Sequence, residues 1–116
     1  MEKLRVWWIP QLGKCKPFYV PVNSVLEAKK VLDIMAFYDA FQLENRIKPD
    51  YANTGGLEMW NEESQEWESW YEETEDTFYD DMDEYLSETM DYATVEEFTK
   101  SVSSNVNWDK IHKMFP

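Results

Sequence analysis

One cysteine, one histidine and three glycines in 116 residues leave few starting points for catalysis or metal binding. Cys15 has no second thiol, so an internal disulfide is excluded and a reducing compartment is compatible. Its neighbours Lys14 and Lys16 would favour the thiolate, but neither a second Cys nor a His stands near it, and it reads as an incidental surface thiol in a turn. His112, between Lys110 and Lys113, has no His or Cys partner for a zinc set or a thiol–imidazole pair. No apolar run approaches the roughly 18 residues of a membrane span, and the basic-then-apolar pattern of a secretory signal is missing. The chain is therefore expected in the cytoplasm, away from membranes.

The most informative absence is positive charge. Residues 49–99 carry eighteen Asp and Glu and no Lys or Arg. Residues 1–48 hold eight cations against five acids, and residues 100–116 three lysines against one Asp, so the net charge of −13 comes from a central block. Nucleic acid and anionic membranes both need basic residues to neutralise phosphate, and this block repels them. A basic protein surface is attracted.

What is present suffices for a core. Hydrophobic residues make up 43% and aromatics 16%, which separates the chain from disordered acidic proteins. Its length fits one domain over 1–116, read as an α+β core with two hairpins over 1–75 and a helical C-terminal part over 76–116. Leu4 to Ile9, closed by Pro10, reads as a strand, and Phe18 to Val22, flanked by Pro17 and Pro21, as an edge strand paired with it. Ser24 and Glu27 form a capping box that opens a helix running to about Asn45. That helix carries Ala28, Val31, Leu32, Met35, Phe37, Tyr38 and Phe41, and its narrow polar face predicts a central core helix beneath the sheet.

Asp50 to Gly56 is turn chemistry, with Gly55 and Gly56 free to take positive φ. No Lys follows and no helix opens there, so a phosphate loop is not indicated. Leu57–Trp60 and Trp67–Tyr71 read as a second hairpin across Asn61–Glu66. From Asp76 the period becomes helical, with Phe78, Met82, Tyr85, Leu86 and Thr89 on one face of an acidic helix. Thr94 and Glu97 suggest another capping box before Val95, Phe98 and Val102, and Asn107 a cap before Trp108, Ile111, Met114 and Phe115. The fold class is α+β: a small antiparallel sheet in the order β-β-α-β-β packed on a central helix, then the acidic helix and short C-terminal helices.

Plentiful carboxylates do not make an acid–base pair, which needs environments that push two pKa values apart. Asp80, Asp81, Asp83 and Glu84 lack the spacing and turn glycine of a calcium loop. Neither an enzyme nor a cofactor is expected. A charge run is ordinarily a solvated face. Seventeen carboxylates from Glu58 to Glu97, however, repel one another, and Trp60, Trp67, Trp70, Tyr71, Tyr79 and Tyr85 are interleaved with them. Aromatics anchor interfaces while carboxylates steer the partner, so the block reads as a binding surface.

The segments L-R-V-W-W-I-P (Leu4–Pro10), K-P-F-Y-V-P-V (Lys16–Val22), A-K-K-V-L-D-I-M-A-F-Y-D-A-F-Q-L-E-N (Ala28–Asn45) and I-K-P-D-Y-A-N-T-G-G-L-E (Ile47–Glu58) together resemble a family of small bacteriophage and prophage proteins. By class, a small acidic phage protein is similar to inhibitors of host defence, anti-CRISPR and anti-restriction proteins among them, that occupy a nucleic-acid groove. The resemblance implies action in the bacterial host cytoplasm, and it assigns no residue.

The expectation is a stoichiometric inhibitor that mimics DNA and docks on the basic nucleic-acid-binding surface of a defence nuclease. Its expected contacts are Glu62, Glu63, Glu66, Glu68, Trp70, Glu72, Glu73, Asp76, Asp80, Asp81, Asp83 and Glu84. The rival is a nucleotide-signal sponge whose pocket is lined by Trp7, Trp8, Tyr19, Lys48, Tyr51, Asn53 and Gly55–Gly56. A third reading is a virion or assembly component held by its Trp-rich face.

Overall fold

The computed structural model describes residues 3–114, so Phe115, expected in the last helical turn, lies outside the described residues. The chain runs β1 (Leu4–Ile9), β2 (Phe18–Val22), α1 (Val25–Glu44), β3 (Thr54–Asn61), β4 (Glu66–Ser69), β5 (Glu72–Glu73), β6 (Phe78–Tyr79), α2 (Met82–Thr89), α3 (Tyr92–Ser103) and α4 (Trp108–Met114). The fold is α+β. Both expected hairpins form, and β1 joins them by pairing with β3, giving a four-stranded antiparallel sheet in the order β2-β1-β3-β4. A two-stranded ribbon, β5-β6, follows it.

Strand alternation divides the sheet into two faces. Leu4, Val6 and Trp8 of β1, Val22 of β2 and Leu57 and Met59 of β3 are buried. Most of them form one core with Val25 and Ala28 of α1 and with Trp70, Tyr79 and Leu86 from the later chain. Val6 and Leu86 are the largest side chains lost entirely from water, each worth about 1.5–3 kcal/mol of burial. The opposite face carries Arg5, Tyr19, Glu58 and Trp67. There the Arg5 guanidinium lies 3.8 Å from the Tyr19 ring and 4.1 Å from the Trp67 ring, and its Nε donates to Glu58 Oε1 at 2.8 Å.

Helix α1 begins where its sequence places it. Ser24 Oγ accepts from the Glu27 N–H at 3.1 Å, and Asn45 caps the far end. It packs on the sheet through Val25 and Ala28, while on its other side Ile34, Tyr38 and Phe41 remain 49%, 60% and 37% exposed. Two carboxylates on α1 are buried. Asp39 Oδ2 accepts from Trp8 Nε1 at 3.1 Å and from Asn53 Nδ2 at 3.0 Å, and it lies 3.3 Å from Lys48 Nζ. Asp33 accepts from Lys29 at 3.0 Å and from the Thr99 hydroxyl at 2.7 Å, while Lys29 also pairs with Asp83 at 3.4 Å. One node ties α1 to β1 and the loop before β3; the other ties α1 to α2 and α3.

Four local expectations are corrected. Gly55 and Gly56 are not a turn: they pair with Trp8 and Trp7 inside β3, and neither has positive φ. They are glycines because indoles occupy the space a side chain would need: a Cβ on Gly56 would sit 2.8 Å from Trp7 Nε1, and one on Gly55 2.8 Å from Trp8 Cζ3. The second hairpin stops at Ser69, leaving Trp70 and Tyr71 outside the strand. The acidic helix starts at Met82 instead of Asp76, because Phe78–Tyr79 pairs with Glu72–Glu73 and Asp81 takes the cap, accepting from Asp83 N and Glu84 N at 2.8 and 3.2 Å. Asp91, not Thr94, caps α3, while Asn107 accepts from Lys110 N at 3.0 Å at the head of α4 as expected.

Candidate partner-binding surface

The acidic block folds as two turns and a helix. At the β3–β4 turn, Asn61 Oδ1 accepts from Glu63 N at 2.9 Å and from Ser64 N at 3.2 Å, a local closure that competes with strand pairing. Gln65 completes the turn at φ 55, leaving Glu62, Glu63 and Glu66 exposed around it. In the β5–β6 turn, Thr74 N donates to Thr77 O at 2.8 Å and Thr77 N returns to Thr74 Oγ1 at 3.0 Å, so Glu75 and Asp76 project at the tip. In the first turn of α2, Asp83 and Glu84 sit where the helix dipole favours negative charge.

Aromatic packing fixes this segment from below. Tyr85 meets both Trp70 and Tyr79 edge-to-face, each pair at 5.4 Å between centroids. Burial raises the Tyr79 phenol above its usual pKa, helped by the Glu88 carboxylate beside it. Lys29 is also raised: burial lowers it, but Asp33 and Asp83 together outweigh that. Among the described residues, only Glu58 and Asp83 of the whole block are ion-paired.

Of the expected contacts, Glu62, Glu63, Glu66, Glu73, Asp76, Asp80, Asp81, Asp83 and Glu84 are exposed, and Glu68 and Glu72 half-buried. Glu68 also accepts from Asn61 Nδ2 at 3.3 Å. Trp70 is the exception: at 4% exposure it belongs to the core, so it cannot be the projecting anchor that its setting among carboxylates suggested. Sequence reading also missed that Trp7, on the outer face of β1, borders the same cavity of about 470 Å³ as Asp80 and Asp81. The alternation of β1 marks Trp7 as outward-facing, but nothing local links it to residues more than seventy positions away.

The rival pocket is not assembled. Trp8 and Tyr19 lie on opposite faces of the sheet. Trp8, Asn53 and Lys48 direct their polar groups at Asp39, Lys48 also donates to Pro10 O, and Tyr51 donates to Ala36 O at 2.9 Å. Among the described residues, no group of His, Cys, Asp or Glu is arranged to hold a metal ion, and no helix is long and apolar enough to cross a membrane.

Residues 3–91, from β1 through α2, match the family described as superinfection exclusion gene product 17. The chain belongs to this family. A superinfection exclusion protein of Salmonella phage P22 is 44% identical over 103 residues, covering 79% of this chain and 97% of that protein. The resemblance to small phage proteins therefore holds, and the family span takes in the acidic turns and α2 as well as the N-terminal half. No solved structure shows a significant match.

Proposed function

We propose that the protein acts in superinfection exclusion as a non-catalytic inhibitor, docking its acidic turns and α2 on a basic, nucleic-acid-binding protein surface. A nuclease that meets infecting DNA is the partner class, since its groove is built for closely spaced phosphates. The observation that carries this reading is the ordered acidic block, held by Trp70, Tyr79 and Leu86 and almost without internal cations. Like charges left unpaired on a folded surface oppose stability, and a cationic partner relieves them. Long-range attraction speeds encounter, and like-charge repulsion rejects nucleic acid and other acidic proteins. Membership of a superinfection exclusion family supplies the setting, a contest between phages in one cell.

The test reverses four exposed charges outside the lining of the cavity that Asp80 and Asp81 border: Glu62→Lys, Glu63→Lys, Glu73→Lys and Asp76→Lys. Binding to a partner captured from infected cells should be lost, and wild-type binding should weaken steeply with salt. The plating of a superinfecting phage on cells expressing the variant should match that on cells without the protein. A fully active, salt-insensitive quadruple variant would refute the proposal.

A further inference from the structure

We infer that the cavity between Trp7 and the start of α2 accepts an arginine side chain carried on an extended segment of the protein partner. This occupant presupposes the basic partner proposed above and names the group by which it is recognised. The cavity, of about 470 Å³, is bordered by Trp7, Gly56, Trp70, Asp80, Asp81 and Met82. Two of its walls carry polar groups without partners among the described residues.

The Trp70 ring is 4% exposed, yet its indole N–H has no acceptor among the described residues. A buried donor left unmet costs about 1–3 kcal/mol, so the Trp70 side of the cavity carries an unsatisfied polar group in the unbound protein. Asp81 uses Oδ1 to cap α2, while its Oδ2 and both oxygens of Asp80 take part in no hydrogen bond or ion pair among the described residues. Trp7 provides a flat wall, and the bare Cα of Gly56 lets its indole settle against the strand.

The edge of β3 supplies a place for backbone. Pairing with β4 begins at Glu58 and Leu57 O is taken by Trp70 N at 3.0 Å, so among the described residues it is residues 54–56 that have no strand on that side. That bond fixes Leu57 on the β4 side, and by the two-residue alternation of an antiparallel ladder the backbone groups directed at the uncovered part of the edge are those of Gly55. An extended segment can pair at this edge and bring a side chain into the cavity.

Arginine fits better than lysine. Its planar guanidinium stacks on an indole and forms forked hydrogen bonds to carboxylates, whereas an ammonium supplies a point charge. The molecule already uses this recognition within itself, where Arg5 lies between Tyr19 and Trp67 and bonds to Glu58. A nucleotide is disfavoured, because Asp80 and Asp81 would repel its phosphate.

The experiment follows the indole N–H resonances of Trp7 and Trp70 in the isotope-labelled full chain during titration with blocked Gly-Arg-Gly peptide and its citrulline counterpart. Both resonances should shift saturably with the arginine peptide, with binding about tenfold weaker for citrulline, which lacks the charge. The shifts should vanish in the double variant Asp80→Asn, Asp81→Asn, in which the asparagine introduced by the second substitution still caps α2 and the remaining spectrum reports an intact fold. Unmoved indoles, or equal responses to both peptides or in the double variant, would overturn the pocket. Shifted indoles with partner capture that survives the Glu62, Glu63, Glu73 and Asp76 reversals would support the pocket and remove the surface proposal. Unmoved indoles with capture lost in those reversals would do the opposite.

Discussion

Replacing Asp39 by alanine tests whether a buried carboxylate node, and not only apolar burial, holds α1 on the sheet. The Asp39 side chain is 6% exposed and that of Lys48 11%, so neither group is well screened by water. Asp39→Ala would leave the Trp8 indole N–H, the Asn53 amide and the Lys48 ammonium without their shared acceptor. Breaking a buried ion pair from one side costs about 3–5 kcal/mol, and the retained bond from Lys48 to Pro10 O places the expected loss near the lower end. A chain of this length has a total stability of about 6–17 kcal/mol, so the loss is a large fraction of it. It corresponds to a fall of about 15 °C in Tm.

The assay is urea denaturation of wild type, Asp39→Ala, Lys48→Met and the double variant, read by far-UV circular dichroism. Because Lys48→Met removes the stranded charge, the double variant should recover at least about 1 kcal/mol relative to the sum of the single losses. An Asp39→Ala loss below about 1 kcal/mol, or strictly additive losses, would show that the node carries no special energy.

Three further outcomes are expected. Gly56→Ala should drive the Trp7 indole off the strand, destabilise by about 1–3 kcal/mol and change Trp fluorescence, because the added Cβ has no room. Raising sodium chloride from about 0.05 M to about 0.5 M should raise Tm by screening the acidic block while weakening partner binding; a Tm that falls or stays level would contradict the self-repulsion invoked here. Folded-state pKa values above the ordinary 10.5 of Lys29 and 10.0 of Tyr79 favour the protonated forms in the folded protein. Their contribution is therefore complete below about pH 10 and is lost as pH rises through the folded values. Denaturant midpoints should fall across that alkaline window, and less so in Lys29→Met and Tyr79→Phe.

Much of the architecture was legible because it depends on near neighbours. Ser24 caps α1 through an amide three residues away, Asn107 does the same for α4, and alternation in β1 and β3 marks their two faces. The cation-free stretch is likewise a property of sequence alone. Competition between local signals misled the reading at Asp76–Asp81, where helical spacing lost to the β5–β6 pairing, and at Thr94, where Asp91 took the cap.

By itself, the sequence determined an α+β chain with a central block of negative charge and the starting points of its first and last helices. Only the tertiary structure decided that Asp33 and Asp39 are buried while most other carboxylates face water, that Trp70 is core, and that Trp7 borders one cavity with Asp80 and Asp81. The physical reason is distance along the chain. The hydrogen-bond partners that make burial of Asp33 and Asp39 tolerable include Thr99 and Asn53, 66 and 14 residues away, far beyond the reach of any helical or strand period.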